Sequence, residues 1–180
     1  MKATLTTFVA FMCLQFCNAQ LLWQKEFTDH SFGSRAIFHD VFFSSSGEVL
    51  MAGTTEETKS DRAFCLMKFS DSLQKSWVLA DTTDLLFMPE NDIVLSYDEM
   101  SQNAYIAGTH IVTSNLYRGA LLKIDSLGKL IWNITLPIPD SLFPRTRDIK
   151  VDNDGNILIA LTVSGFNFFD TWIMKYTPTG

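Results

Sequence analysis

The chain has 180 residues, of which 47% are hydrophobic and 19% charged, and its formal net charge is −6 at pH 7. This composition is typical of one folded domain and excludes an intrinsically disordered chain. The mildly acidic balance argues against nucleic acid or an anionic membrane surface as a partner.

Residues 1–19 predict a secretory signal peptide. Lys2 is their only charge, residues 5–16 form an apolar stretch, and residues 17–19 provide a cleavage site with small side chains. The stretch is short for a membrane-spanning helix, which needs about 20 apolar residues. A membrane anchor, a buried N-terminal helix and a lipid attached at Cys17 are the alternatives. We therefore expect a secreted, cell-surface or periplasmic protein without a membrane span once the signal is removed. Its remaining cysteine, Cys65, lies in an apolar run and is expected to be buried.

Four short patterns recur in a fixed order along the rest of the chain, with a period of about 55 residues. One is an extended run that contains a tryptophan: Trp23, Trp77 and Trp132. The next begins with an aspartate: Asp40, Asp92 and Asp148. The third carries a glycine after an alanine, at Gly53 and Gly108, with Leu161 at that place in the third copy. The fourth is an apolar run with a lysine: Lys68, Lys123 and Lys175.

Four short strands joined by turns make one blade of a β-propeller. Asp154-Gly155 and Ser46-Gly47 predict hairpin turns, because glycine readily takes the positive φ that tight turns need. We therefore expect an all-β fold with about three four-stranded antiparallel blades of an incomplete ring. Residues 38–82 form the first blade, residues 90–137 the second and residues 146–180 an incomplete third. Residues 20–30 are expected to be a closing strand. Because rings have about 4–8 blades, we expect a piece of a longer protein.

Three segments of the chain resemble the SBBP-type β-propeller repeat of secreted and surface bacterial proteins. Residues 120–132 resemble its third and fourth strands, and residues 103–109 and 155–160 resemble its second. The resemblance covers nearly all of residues 21–180 and departs from the pattern at residues 73–74, where the turn glycine is missing, and at Leu161. The same stretch is similar to quinone-cofactor propeller repeats, which are shorter. The resemblance implies the fold and bacterial secretion, often with a type IX sorting domain, and it implies no particular activity.

The sequence predicts no catalytic, cofactor or metal site. His30, His39 and His110 are isolated and lack metal-ligand spacing. The repeated aspartates have two interpretations: a carboxylate ring at one mouth of the channel that binds cations or polar groups, or turn caps at each strand entry, which we favour. The repeated lysines are expected to be solvated edge or groove residues.

Two functions from different classes are compatible with these patterns. We favour a non-enzymatic secreted or cell-surface module for protein or glycan contact or scaffolding, whose further partners are the remaining blades of the same chain. The alternative is the N-terminal fragment of a propeller-fold polysaccharide hydrolase or lyase, whose catalytic residues lie beyond residue 180.

Overall fold

In a computed structural model, the described residues are 35–56, 62–72, 74–81, 86–87, 93–113 and 116–180. These residues confirm the expected all-β class, since they form twelve strands in three small antiparallel sheets and no helix. The described residues do not form a closed ring, so the propeller stays a proposal. None of them belongs to a helix long and apolar enough to cross a membrane. The predicted signal peptide, the predicted closing strand, Trp23 and Asp92 lie outside the described residues.

The three sheets follow one another along the chain. Sheet A contains β1 (Arg35–Phe43), β2 (Val49–Glu56), β3 (Arg62–Phe69) and β4 (Lys75–Asp81), in that order. Sheet B contains β5 (Leu86–Phe87), β6 (Val94–Asp98), β7 (Asn103–Thr113), β8 (Leu116–Ile124) and β9 (Leu130–Thr135). Sheet C contains β10 (Phe143–Val151), β11 (Ile157–Ser164) and β12 (Phe169–Tyr176). Each sheet begins three or four residues before the corresponding expected blade.

One hairpin turn in each of the three sheets uses glycine in the left-handed region. Gly47, Gly128 and Gly155 have φ values of 85°, 83° and 78°. In each turn the glycine N–H donates to the carbonyl three residues earlier at 3.0 Å. This geometry closes the turn without the Cβ strain that another residue would suffer. It also fixes the ladder register of the strands on either side.

The ladders place the repeated residues at matching positions. Lys68 lies opposite Leu50 and Trp77, and Lys123 lies opposite Tyr105 and Trp132. In sheet C the corresponding pair is Lys175 and Leu158. Successive sheets therefore repeat the same pairing register.

The first strand of each sheet is interrupted. In sheets A and C the register shifts at Phe38/Asp40 and at Thr146/Asp148, so one extra residue bulges out of the strand. In sheet B the strand is split, and both β5 and β6 pair with the long strand β7. Because a bulge or a break re-aims the side chains that follow it, it sets where the aspartates point.

Two hydrophobic clusters join neighbouring sheets. Residues of one face of sheet A pack against one face of sheet B: Leu50, Ala52, Phe64 and Leu66 against Leu95, Tyr97, Ile106 and Leu122, among others. The other face of sheet B packs against sheet C: Tyr105, Ala107 and Leu121 against Ile149, Ile157, Ile159 and Leu161, among others. Burial of these side chains on both faces of sheet B explains why its strands lack a strict polar alternation.

Candidate functional site

Two of the repeated tryptophans, Trp77 and Trp132, lie at contacts between sheets. The Trp77 indole Nε1 donates to the backbone carbonyl of Ser126, in the β8–β9 turn of sheet B, at 2.9 Å. A Cβ at Gly128 would lie 2.8 Å from the Trp77 ring, so only glycine leaves room for the indole there. Trp132 packs with the cluster between sheets B and C, and its ring centre lies 6.2 Å from that of Tyr105. The tryptophans therefore hold neighbouring sheets together.

Gly53 lies where two strands of sheet A approach unusually closely. A Cβ at this position would lie 2.0 Å from the backbone oxygen of Ile37, beside the β1 bulge. Gly108 lies opposite Ala120 at the corresponding place in β7, and Leu161 lies opposite Thr146 and Trp172 in β11. The glycine in β2 thus serves close backbone packing.

Lys68 is not solvated, contrary to the expectation of an edge or groove residue from sequence. It is 5% exposed, and its Nζ bonds the hydroxyl of Tyr97 in sheet B at 3.1 Å and the Glu48 carboxylate at 3.0 Å. Its Nζ also lies 5.2 Å from the centre of the Tyr97 ring. Burial opposes the charge of Lys68, but the bonds to Tyr97 and Glu48 outweigh it and raise the pKa of the amine.

The other two repeated lysines are less buried than Lys68. Lys123 is half-buried, and its Nζ donates at 2.9 Å to the backbone carbonyl of Pro178, in the turn that follows the last strand of sheet C. Its Nζ lies 5.6 Å from the centre of the Tyr105 ring. Lys175 is exposed and pairs with Asp152 of its own sheet at 2.8 Å, which lowers the pKa of that carboxyl. Lys68 and Lys123 thus each reach an oxygen of the following sheet.

The repeated aspartates are not one equivalent set. Asp40 and Asp148 lie opposite Ala52 and Ala160, directly after the bulges, whereas sheet B places Val94 at that ladder position. Each of the two carboxylates accepts the N–H of the next residue, at 2.8 Å for Asp40 and at 2.9 Å for Asp148. Both aspartates lie inside their strands, next to the bulge, and not at a turn before the strand as expected from sequence.

Asp40 also makes a contact that the sequence did not predict. Its second oxygen accepts the N–H of Leu95, in the first long strand of sheet B, at 2.7 Å. Nearby, the Glu99 carboxylate accepts the N–H and the hydroxyl of Ser45, and these bonds lower its pKa. Carboxylates thus connect the strand ends of sheets A and B.

Aromatic and charged side chains gather where β8 and β10 begin. The Tyr117 and Phe143 rings meet edge to face with centres 4.8 Å apart, and the Arg145 guanidinium lies 5.3 Å from the centre of the Phe143 ring. Arg118, next to Tyr117, forms a two-pronged ion pair with Asp140 at 2.9 Å for each bond. This pair lowers the pKa of Asp140 and raises that of Arg118.

The β11–β12 turn adds exposed rings at the same end of sheet C. Phe143 lies opposite Ser164, which in turn lies opposite Phe169. Phe166 is 99% exposed and Phe169 is 80% exposed. We call Tyr117, Phe143, Arg145, Phe166 and Phe169 the loop-end aromatic group.

Several buried polar atoms lack a hydrogen-bond partner among the described residues. They include the Tyr105 hydroxyl and Nδ1 of His110. Burial lowers the pKa of His110 and raises that of Tyr105. Within the described ranges, no group of three or more acidic, histidine or cysteine side chains is placed to hold a metal ion. His39 lies at the β1 bulge, and His30 lies outside the described part of the chain.

No family model matches this chain, and no curated protein matches it.

Proposed function

We propose that the chain is a β-propeller module of a secreted or cell-surface protein, and that it contacts a protein or glycan partner or acts as a scaffold. The signal pattern of residues 1–19 supports the location. The propeller is supported by sheets that repeat one register and pack face to face, with β1 beside β6 and β6 beside β10. Because Trp77, Trp132, Lys68 and Lys123 serve inter-sheet contacts, their recurrence is explained without a catalytic role.

The loop-end aromatic group is the observation that carries the contact function. Connecting segments at the end of a rigid sheet scaffold are common binding sites. Large rings and arginine supply much of the binding energy at protein interfaces. An exposed ring buries a large apolar area when a partner covers it. Phe166 and Phe169 leave most of their surface to solvent in this position.

A binding screen tests this function. The mature chain would be applied to arrays of glycans and to candidate surface proteins, and bound ligands would be titrated. We expect Phe166→Ala and Phe169→Ala to weaken binding at least about tenfold. Leu127→Ala is the matched control, because Leu127 is 82% exposed but lies in the β8–β9 turn at the other end of sheet B.

Two results would contradict the proposal. Equal loss of binding in Leu127→Ala and in the two phenylalanine variants would mean that the loop-end aromatic group is not the contact surface. Turnover of a polysaccharide by the 180-residue chain would favour the hydrolase or lyase alternative.

A further inference from the structure

One face of sheet C is exposed at positions that are buried in sheets A and B. In each sheet an alanine of the second strand lies opposite an apolar residue of the third: Ala52 and Leu66, Ala107 and Leu121, Ala160 and Ile173. All four residues of the first two pairs are 0% exposed. Ile173 is 74% exposed.

A second position on this face is also less buried in sheet C than in sheets A and B. Leu50 and Tyr105 are fully buried, whereas Leu158, at the corresponding place in sheet C, is only half-buried. Asp148, Lys150, Leu158, Ala160 and Ile173 surround a shallow, largely apolar depression of about 210 Å³. We call these five residues and Lys175 the open face of sheet C.

The polar groups of the open face are arranged as they are where sheet A meets sheet B. Asp40 Oδ1 accepts the N–H of Val41 in its own strand, and Asp40 Oδ2 accepts the N–H of Leu95 in the next sheet. In Asp148, Oδ1 accepts the Ile149 N–H and pairs with Lys150 at 3.1 Å, and Oδ2 has no partner among the described residues. Lys68 and Lys123 reach an oxygen of the next sheet, and Lys175 occupies their ladder position.

We propose that the open face of sheet C binds a further antiparallel sheet of this same repeat, in the way that sheet B covers sheet A. The incoming sheet has the pattern of sheet B. Its first strand gives a backbone N–H to Asp148 Oδ2, it offers a hydroxyl or carbonyl oxygen to Lys175, and its apolar face covers Leu158 and Ile173.

A second copy of the chain fits this face less well. The face of sheet A that would have to dock contains Val49, Met67 and Phe69, which are already 6%, 2% and 1% exposed. A sheet that is buried on that face has no free surface to offer. The inference goes beyond the proposed contact function, since it concerns how the stack of sheets continues.

The test adds a further sheet of this repeat to the whole chain. A copy of residues 74–137 would be appended after Gly180, because in sheet A this segment follows the turn that corresponds to Thr177–Gly180. Unfolding by urea would be measured for the 180-residue chain and for the extended chain, each with and without Ile173→Asp. The control is Ile131→Asp, at a β9 isoleucine that is 49% exposed and lies outside the open face.

We expect Ile173→Asp to change the unfolding equilibrium constant less than about threefold in the 180-residue chain and about a hundredfold in the extended chain, where a charge would be buried. Ile131→Asp should have equal effects in both. Equal effects of Ile173→Asp in the two chains would overturn the proposal.

A second measurement does not depend on the stability of the variants. Ile173→Cys would be labelled with a thiol reagent, with the parent chain giving the background rate, and labelling should be at least about tenfold slower in the extended chain. Equal labelling rates would also overturn the proposal. A dimer of the 180-residue chain that Ile173→Asp abolishes would assign the open face to a second copy and so refute it. These results are independent of the ligand screen, which tests binding at the loop-end aromatic group.

Discussion

The buried amine of Lys68 allows the sharpest test of how sheets A and B are held together. Lys68→Met keeps an unbranched side chain in place and removes the charge. The substitution removes the amine that contacts both the Tyr97 hydroxyl, which is buried, and the Glu48 carboxylate, which is 29% exposed. Removing one partner of a fully buried pair costs about 3–5 kcal/mol, and hydrogen bonds to charged groups are worth about 1.5–3 kcal/mol. Because Glu48 retains some contact with water, we expect a loss of about 2–3 kcal/mol.

The assay is the free energy of unfolding from urea titrations at pH 7, with two comparison proteins. Lys175→Met is the matched control, since it removes the exposed lysine at the same ladder position and should change stability little. The triple variant Lys68→Met/Glu48→Gln/Tyr97→Phe removes the stranded polar groups as well and should recover much of the loss. If Lys68→Met and Lys175→Met had equal effects, the buried contact with sheet B would not stabilise the protein and the reasoning would fail.

Three further outcomes follow from the described contacts. Gly53→Ala should destabilise the protein by about 3 kcal/mol, because the new Cβ would meet backbone atoms. Gly119→Ala should destabilise it by only about 1 kcal/mol, because the new Cβ would meet the Leu136 side chain. Equal urea midpoints for the two variants would contradict this expectation. The pKa of His110 is lowered, so the unfolded chain binds more protons at acid pH, and the melting temperature should fall as the pH drops through about 6.5. This fall should be smaller in His110→Gln, and an identical pH profile would refute the assignment. Burial raises the pKa of the Cys65 thiol to about 12, so thiol reagents should modify it at pH 8 only after unfolding, as mass spectrometry of its peptide would show.

The sequence predicted the strands because each repeat carries its own local signals. Glycines that take a positive φ fixed the turns, and the lysine and tryptophan that flank a turn had to face each other once it closed. The all-β class followed from the same signals.

What the sequence could not predict depends on neighbours from other sheets. Lys68 was expected to be a solvated edge or groove residue, but it is buried against Tyr97, which a different sheet supplies. Asp40 and Asp92 look equivalent in sequence, yet a break in the first strand of sheet B puts Val94 at the matching place. A shift of two residues along a strand leaves the apolar pattern unchanged, because side chains alternate with a period of two. The loop-end aromatic group carried no periodic signal at all.

The graded burial of the three lysines has a consequence for chemical probing of this protein. An amine-reactive acylating reagent would modify Lys175 first, Lys123 more slowly and Lys68 last, because their exposure decreases in that order. The same residue type at one structural position would thus serve as an internal gauge, and the order of acylation along the chain would report which sheets are covered by a neighbour.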